Sequence, residues 1–317
     1  MTFELYPLRF RFTAQDSIYF PAGKPGNILR GAFGTIFKKI ACVPQCREAR
    51  ECDLRAQCAY ARIFEPASLG NGPSGLADWP RPFVFRASHL DGCTVAPAEE
   101  FYFDLNVFEL RDPALAYFVL AFAQLAREGL GPRRGRALLT SVWQLDSKGE
   151  PRLQIYDGSR FLLKDTAPPL SLPLDTPALE IGAIRIEFTT PTELKSAGDL
   201  TARPDFPVLF ARVRDRISML RGLYGQGPLD IDFREMGERA VAVRMTRCEL
   251  RQVEVTRLST RTGQTHSLGG FVGSAEYEGI LAEFFPYLEA AYWTGVGRQT
   301  VWGKGEIRVT GRTATGA

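Results

Sequence analysis

The 317-residue chain has no apolar run long enough to span a lipid bilayer. A transmembrane helix needs about 20 mostly apolar residues in succession, and the longest runs here are much shorter. The first residues also lack a basic stretch followed by an apolar one, which argues against a secretory signal. We therefore expect a cytoplasmic protein with no membrane partner.

The chain also has few histidines and a small net charge. His89 and His266 are the two histidines, and the formal net charge is only +3. Because histidine alone has an ordinary pKa close to neutrality, the choice of a titrating catalytic group is narrow. The small net charge permits a polyanionic partner without requiring one, since local clusters of arginine matter more than the total.

The composition is that of a folded protein with two domains. Apolar residues make up 45% of the chain and charged residues 24%, which excludes a disordered protein. The length predicts two domains of ordinary size. We place them at 1–156 and 179–317, with a proline- and leucine-rich linker over 157–178 and a cysteine-rich insertion at about 42–58.

The two halves repeat one order of elements. Each is predicted to run strand, helix, strand, strand, helix, glycine- and arginine-rich turn, strand, with Asn27 capping the first helix. The main predicted elements are strands over 3–13, 137–144 and 179–189 and helices over 28–40, 113–125, 206–223 and 280–293. This order predicts an α+β fold of tandem ferredoxin-like βαββαβ domains, each sheet covered on one face by helices.

A glycine-rich turn near the end of the chain joins the last helix to the last strand. Four of its glycines lie within eleven residues, with Arg298 and Lys304 between them. Exposed backbone N–H groups beside such cations suit phosphate oxygens. A tight connection between a helix and a strand uses glycine equally well. The sequence leaves both interpretations open.

Four of the six cysteines lie close together, at Cys42, Cys46, Cys52 and Cys58. In a reducing compartment, crowded thiols indicate a metal sooner than disulfides. Four thiolates satisfy a tetrahedral zinc ion, and an iron–sulfur cluster is the alternative. The gaps are not paired C-x-x-C motifs, so four free thiols remain a third interpretation. A metal here would hold a loop in place and take no part in catalysis.

Several motifs resemble the RAMP superfamily, and within it the CRISPR-associated endoribonuclease that cuts precursor crRNA. They are the glycine-rich turn from Gly295 to Ile307, the preceding segment 268–279, and the amino-terminal segments 27–34 and 60–66. The resemblance implies binding of CRISPR repeat RNA and metal-independent cleavage without a cofactor. The ribose 2′-OH would attack the adjacent phosphate and leave a 2′,3′-cyclic phosphate. Other CRISPR effector-complex proteins are implied as partners.

The candidate RNA-binding residues are basic side chains and the residues of the glycine-rich turn. Trp302 is included because an indole ring can stack on a base. The full set is Arg30, Arg133, Arg134, Arg136, Arg212, Arg216, Gly295, Gly297, Arg298, Gln299, Trp302, Gly303, Lys304 and Gly305.

The candidate catalytic residues depart from the family pattern. Many relatives carry a histidine in or beside the first helix, and this chain has none there. Lys38, Lys39 and Tyr19 match the region where the family places its site. We hypothesise that Lys38 or Lys39, with Arg30, contacts the scissile phosphate and that His266 titrates, with His89 as the alternative.

Two other functions remain open at this stage. A non-catalytic RAMP protein would hold repeat RNA or crRNA within an interference complex without cutting it, and the missing histidine favours it. A metal-stabilised protein-interaction module would bind no RNA at all.

Overall fold

A computed structural model describes residues 1–43, 45–70, 79–111, 114–164, 166–258 and 265–313. In these ranges, the helices are α1 Pro25–Ala41, α2 Ala59–Ile63, α3 Ala114–Glu128, α4 Phe206–Tyr224, α5 Phe233–Val241 and α6 Phe285–Thr294. None of these helices combines the length and apolar character needed to cross a bilayer.

The strands divide between two compact units. The amino-terminal unit is Glu4–Leu170, and the carboxy-terminal unit is Met1–Phe3 with the residues from Ser171 onward. The strands are β1 Thr2–Ala14, β2 Ile18–Tyr19, β3 Phe83–Arg86, β4 Thr94–Val95, β5 Glu100–Val107, β6 Ala137–Leu145, β7 Pro151–Asp157, β8 Leu162–Leu163, β9 Leu170–Pro173, β10 Ile181–Thr192, β11 Leu194–Ser196, β12 Asp199–Thr201, β13 Arg244–Val253, β14 Thr256–Leu258, β15 Thr265–Ser267, β16 Gly270–Glu278 and β17 Ile307–Thr313.

The main sheet of the amino-terminal unit has the strand order β3-β5-β1-β6-β7-β8. Its neighbouring strands are antiparallel, and Phe10 on β1 lies opposite Phe103 on β5 and Val142 on β6. Helices α1 and α3 cover one face of it. The β1 residues Phe10 and Phe12 face that side and are fully buried, as the alternation of strand side chains predicts.

The main sheet of the carboxy-terminal unit has the order β13-β16-β10-β17, again antiparallel. Helices α4 and α6 pack against it, with the ring of Phe206 on α4 centred 5.3 Å from that of Tyr277 on β16. In both units the second strand lies at one edge, followed by the third, the first and the fourth. That order is the ferredoxin-like arrangement of a βαββαβ unit, so the predicted tandem α+β fold is confirmed.

Aromatic rings fill the core of the amino-terminal unit. Phe33 on α1 is fully buried, and its ring centroid lies 4.9 Å from that of Phe122 and 5.5 Å from that of Phe118, both on α3. The ring of Phe122 in turn meets Phe10 on the sheet at 4.6 Å. Each buried ring contributes about 1.5–3 kcal/mol through removal of apolar surface from water.

The structure differs from the sequence prediction at several boundaries. Helix α1 begins at Pro25, so Asn27 lies inside the first turn and not at the N-cap, which is Lys24. Proline suits this first position because its missing N–H would have had no partner there. Helix α6 likewise starts at Phe285, five residues later than predicted, with Pro286 in its first turn.

Two further segments carry structure that was not predicted. Helix α5 begins after Asp232, whose side chain accepts hydrogen bonds from the amides of Arg234 and Glu235, both at 2.9 Å. The segment 157–178, predicted as a linker, contributes the strands β8 and β9.

Candidate functional site

The glycine-rich turn connects α6 to β17 and is held largely by its own backbone. The amide of Val296 donates to the carbonyl oxygen of Gly305 over 2.9 Å, and the amide of Gly305 donates to the carbonyl oxygen of Pro191 over 3.1 Å. The amide of Arg298 donates to the carbonyl oxygen of Glu193 over 3.1 Å. The turn is therefore fastened to the end of β10 and the residue that follows it.

Two glycines of this turn are required by its packing. Gly297 and Gly305 have φ angles of 78° and 67°, which residues with a Cβ rarely adopt. A Cβ at Gly305 would overlap the carbonyl oxygen of Val296, and one at Gly297 would overlap that of Glu193. A tight helix-to-strand connection accounts for these two glycines. Contact of the turn with phosphate stays a prediction.

The predicted RNA-binding side chains of the turn differ in exposure. Arg298 is exposed, and its guanidinium Nη1 lies 3.0 Å from a carboxylate oxygen of Glu193. Gln299 and Trp302 are half-buried, as are Gly297 and Gly303. Lys304 is only 5% exposed, and the glycines Gly295 and Gly305 are buried. Arg298 and Gln299 are thus the polar side chains of this set that a ligand reaches first.

His266 belongs to a strand that touches the glycine-rich turn. It lies in β15, opposite Arg257 in β14. The carbonyl oxygen of the next residue, Ser267, accepts a hydrogen bond of 2.8 Å from the side-chain amide of Gln299. The side chain of His266 itself lies outside the described part of the chain. His266 is therefore the sequence neighbour of Ser267, whose backbone contacts the turn directly.

The two predicted arginines of α4 have different roles. The Arg216 Nε donates to the carbonyl oxygen of Thr294 over 2.9 Å. Thr294 is the last residue of α6, so Arg216 satisfies one of the carbonyl groups that every helix leaves unpaired at its end. Arg212 is exposed and lies 3.5 Å from Asp215 on its own helix. Arg216 therefore supports the turn, and Arg212 is the more accessible of the two.

In the amino-terminal unit, residues 129–136 form a basic loop between α3 and β6. Leu130 and Gly135 exchange backbone hydrogen bonds of 2.8 and 3.0 Å, which closes the loop. The loop presents three exposed arginines, Arg133, Arg134 and Arg136. Arg136 pairs with Asp16 at 2.7 Å, and hydrogen bonds from Arg136 lower the pKa of the Asp16 carboxyl below its usual value.

Tyr19 lies beside this basic loop. A Cβ added at Gly131 would come within 2.6 Å of the Tyr19 carbonyl oxygen, so the two backbones are in direct contact. The side chain of Tyr19 is 41% exposed. The structure therefore brings together a predicted catalytic residue and three predicted RNA-binding arginines, which the sequence places more than 100 positions apart.

The candidate residues Arg30 and Lys38 on α1 each contact a different part of the chain. The Lys38 ammonium donates to the carbonyl oxygen of Arg47 over 2.8 Å, and the Arg30 guanidinium lies over the ring of Phe64 at 4.8 Å. Eight residues separate Arg30 from Lys38, which is about 12 Å along a helix axis. Lys39 is exposed on the last turn. Contact of Arg30 and Lys38 with one phosphate stays a prediction.

His89 is engaged in the fold. Its Nε2 lies 2.9 Å from the carbonyl oxygen of Tyr102, to which it donates, and its ring stacks on the Tyr102 ring at 4.3 Å. These contacts fix the tautomer and orientation of the imidazole. Of the two histidines, His89 is therefore the one with an evident structural role.

Two protein-family models match the chain, one for each half. A model described as the AF_1859_N N-terminal domain matches residues 3–168, and a model described as CRISPR-associated endoribonuclease Cas6 matches residues 186–307. The second match spans the carboxy-terminal sheet and the glycine-rich turn. The chain therefore carries a Cas6-type domain over residues 186–307.

Solved Cas6 structures share the fold over nearly the whole chain. A Thermus thermophilus Cas6 is 15% identical over 98% of this chain and 99% of its own length, with a TM-score of 0.54. A second Cas6, in a product complex, is 16% identical over 98% of this chain and 100% of its own, with a TM-score of 0.51. A partial Cas6-RT-Cas1–Cas2 complex is 10% identical over 99% of this chain and 47% of its own, with a TM-score of 0.53. No curated protein sequence matches the chain.

The four clustered cysteines are free thiols, and they lie near one another in the amino-terminal unit. The Cys42 and Cys58 sulfur atoms are 3.9 Å apart. Burial, followed by the neighbouring thiols of Cys58 and Cys46, raises the pKa of Cys42 to about 12. Within the described ranges, no group of three or more Cys, His, Asp or Glu is already arranged to hold a metal ion.

The acidic partners of the exposed arginines were not foreseen. Glu193 pairs with Arg298, and Asp16 pairs with Arg136, over separations of 105 and 120 positions. Nothing local in the sequence marks either carboxylate as a partner. A polyanion that binds these arginines would have to displace the two carboxylates or bind beside them.

Proposed function

We propose that this chain binds CRISPR repeat RNA and cleaves it as a step in making crRNA. The observation that supports this most directly is the match of the endoribonuclease model over residues 186–307. Two solved relatives with this fold are described as product complexes, and another as part of a complex with Cas1 and Cas2. Repeat RNA is therefore the proposed ligand, and other CRISPR proteins are proposed partners.

The proposed chemistry is attack of the ribose 2′-OH on the adjacent phosphate, without a catalytic metal or other cofactor. The 2′-oxygen forms a bond to phosphorus as the bond to the 5′-oxygen breaks, which leaves a 2′,3′-cyclic phosphate and a free 5′-hydroxyl. The 2′-OH loses a proton and the leaving oxygen gains one, so a titrating group accelerates the step. DNA lacks the attacking hydroxyl and is not expected to be cut.

His266 is the proposed titrating residue. The support is its position in β15, next to the residue that accepts a hydrogen bond from Gln299 of the glycine-rich turn. His89 is the weaker candidate because its Nε2 already donates to a backbone carbonyl. Lys38, Lys39 and Tyr19 are kept as further candidates to be tested by substitution.

Each unit offers its own proposed RNA-binding surface. In the carboxy-terminal unit it is formed by Arg298 and Gln299 of the turn, with Arg212 on α4. In the amino-terminal unit it is the basic loop, where Arg133, Arg134 and Arg136 are exposed together. Contacts between arginine and phosphate release counterions, so binding is expected to weaken steeply as salt rises.

Single-turnover cleavage of a labelled repeat RNA in EDTA tests the proposal. The wild-type protein is expected to make one defined cut with a cyclic phosphate end. Substitution His266→Ala is expected to slow cleavage about 10²–10⁴-fold, as loss of a general acid or base does. His89→Ala tests the alternative candidate, and a wild-type rate in that variant would leave His266 as the titrating histidine. An unchanged rate in His266→Ala would remove His266 from the mechanism.

A non-catalytic RNA-binding function is the second candidate, and one observation favours it. Helix α1 carries no histidine, although many catalytic relatives are expected to have one in or beside it. In the same assay this function predicts a salt-sensitive gel shift of the repeat RNA with no cut. Absence of both the shift and the cut would contradict both candidates.

A further inference from the structure

The cysteine segment, defined here as Cys42–Cys58, joins the end of α1 to the start of α2 without a core of its own. The regular secondary structure in its described residues is a 3₁₀ turn at Ala49–Glu51. Among its described residues, which omit position 44, Ala49 alone is buried, and the four cysteines are half-buried while all the others are exposed. The cysteines thus occupy the inward-facing positions that apolar residues fill in an ordinary loop. Small modules that lack a hydrophobic core commonly depend on a bound metal.

We propose that Cys42, Cys46, Cys52 and Cys58 bind one zinc ion in tetrahedral geometry and that this ion is structural. The site is independent of the RNA-cleavage chemistry proposed above. Its ligands are four thiolates contributed by one continuous segment, a donor set that zinc favours.

The spacing of the sulfur atoms fits a single ion. The Cys42 and Cys58 sulfur atoms lie 3.9 Å apart. In a regular tetrahedron with zinc–sulfur bonds of about 2.3 Å, two sulfur atoms are about 3.8 Å apart. An iron–sulfur cluster places its cysteine sulfurs farther apart, because several irons lie between them. This pair therefore already has the separation of two ligands on one metal ion.

The other two thiols continue the same group. Burial raises the pKa of the Cys46 thiol, and the neighbouring thiols of Cys52 and Cys42 both act on that pKa. Cys46 is therefore a neighbour of both Cys42 and Cys52, and among the described residues the four thiols do not yet form a closed shell. Protonated thiols can approach only as hydrogen-bonded pairs, whereas a cation removes their protons and draws all four to one centre. Cys46 and Cys52 would make that movement, and both lie among exposed residues with no core to disturb.

One nearby cation, Lys38, suits the proposed site. Zinc with four thiolates carries a net charge of about −2, which a basic neighbourhood stabilises. The Lys38 ammonium acts on the Cys46 thiol and also donates to the carbonyl oxygen of Arg47 over 2.8 Å. Within the segment, the three arginines are balanced by three acidic residues, Glu48, Glu51 and Asp53. The Lys38 ammonium group thus contacts this segment directly.

The ion would fix two helix ends relative to each other. Cys42 is the C-cap residue of α1, and Cys58 is the N-cap residue of α2. The Cys58 sulfur also lies 3.9 Å from the carbonyl oxygen of Ala41, the last residue of α1. Bonds from both cysteines to one ion would hold the end of α1 against the start of α2.

Metal analysis of the untagged full-length protein tests the proposal. Inductively coupled plasma mass spectrometry is expected to find about one zinc per chain in the wild type. The double variant Cys46→Ser with Cys52→Ser is expected to lose at least nine-tenths of that zinc. Cys93→Ser is the matched control, because Cys93 is an exposed cysteine outside the segment, and it should retain the wild-type content.

Two measurements on the wild-type protein keep the test decisive if the double variant fails to fold. Replacement of zinc by Co²⁺ should give the visible absorption of a tetrahedral thiolate site. Native thiol titration should find the four clustered cysteines protected until a strong chelator is added, after which trypsin should cut at Arg47, Arg50 or Arg55. The proposal is overturned by stoichiometric iron with sulfide, by a Cys42–Cys58 disulfide, or by metal-free protein whose thiols all react at once.

Discussion

Substitution Gly305→Ala should destabilise the carboxy-terminal unit because the glycine-rich turn packs backbone against backbone. The φ angle of Gly305 is 67°, and an alanine held in the left-handed region costs about 1–2 kcal/mol. The new Cβ would also overlap the carbonyl oxygen of Val296, so the turn must move. That movement puts two hydrogen bonds at risk, from Val296 to Gly305 and from Gly305 to Pro191, each contributing about 0.5–1.5 kcal/mol net.

The expected loss in unfolding free energy is about 2–4 kcal/mol. This sum allows for the smaller conformational entropy of the unfolded alanine chain, which offsets about 0.4–1 kcal/mol. With a urea dependence of about 1–3 kcal/mol per molar, the unfolding midpoint should fall by about 1 M or more. Circular dichroism in urea measures the midpoint, and amide hydrogen exchange within β10 and β17 shows whether the loss is local to this unit.

Gly198→Ala is the matched control for this experiment. Gly198 belongs to the same unit and has a φ of 98°, but nothing lies within 4 Å of a Cβ built on it. It therefore carries the cost of the left-handed backbone without the overlap, and we expect a loss of about 1 kcal/mol or less. If the two variants are equally stable, close packing does not explain Gly305. Its glycine would then be better explained by approach of a ligand to the turn.

Two further predictions concern the amino-terminal unit. Phe33→Ala should cost about 3–5 kcal/mol of unfolding free energy, because it removes a fully buried ring that meets Phe37, Phe118 and Phe122. Arg136→Ala should raise the pKa of the Asp16 carboxyl toward its ordinary value, as measured by carbon-13 NMR titration, because hydrogen bonds from Arg136 lower it. Because the pKa of Asp16 is lower in the folded state than in the unfolded state, its carboxylate stabilises the fold at pH values above the unfolded-state pKa. This stabilisation is lost as the pH falls through the folded-state pKa. The Arg136→Ala variant lacks most of this contribution, so it should lose less stability on acidification.

Each of these has its own control. For Phe33, the variant Leu138→Ala removes a side chain that is 49% exposed in the same unit, and a change above about 0.5 kcal/mol there would show that burial is not the deciding quantity. For Arg136, the variant Arg133→Ala changes a neighbouring arginine of the basic loop. An Asp16 pKa that responds equally to both substitutions would indicate a general field of the loop and not the paired hydrogen bonds.

The order of helices and strands was readable from the sequence because hydrophobic periodicity is a local property. The spacing of Leu29, Phe33, Ile36 and Phe37 predicted the buried face of α1, and the alternation of Phe10 and Phe12 predicted that of β1. Helix α5 was missed although its signal was present. Asp232 followed by Glu235 has the spacing of a capping box, but the sequence analysis assigned no element to the segment that follows.

The candidate site was only partly predictable, because its contacts join residues far apart in the chain. The sequence marked the basic loop and Tyr19 as separate candidates, and only the fold placed Gly131 against the backbone of Tyr19. The sequence likewise marked Lys304 as a phosphate ligand, yet that residue is nearly buried. Exposure depends on which neighbours cover a side chain, and a local pattern does not carry that information.

The sequence by itself determined the tandem βαββαβ order, the family motifs, the four-cysteine cluster and the shortage of histidine. Each of these depends on residue type and spacing along the chain. The tertiary structure alone decided that Arg216 supports the end of α6 and that Arg298 and Arg136 have acidic partners. It alone also showed that Gly297 and Gly305 each pack directly against a backbone carbonyl group of another residue. Those facts arise from contacts between segments separated by many residues, which form only when the sheets and helices pack.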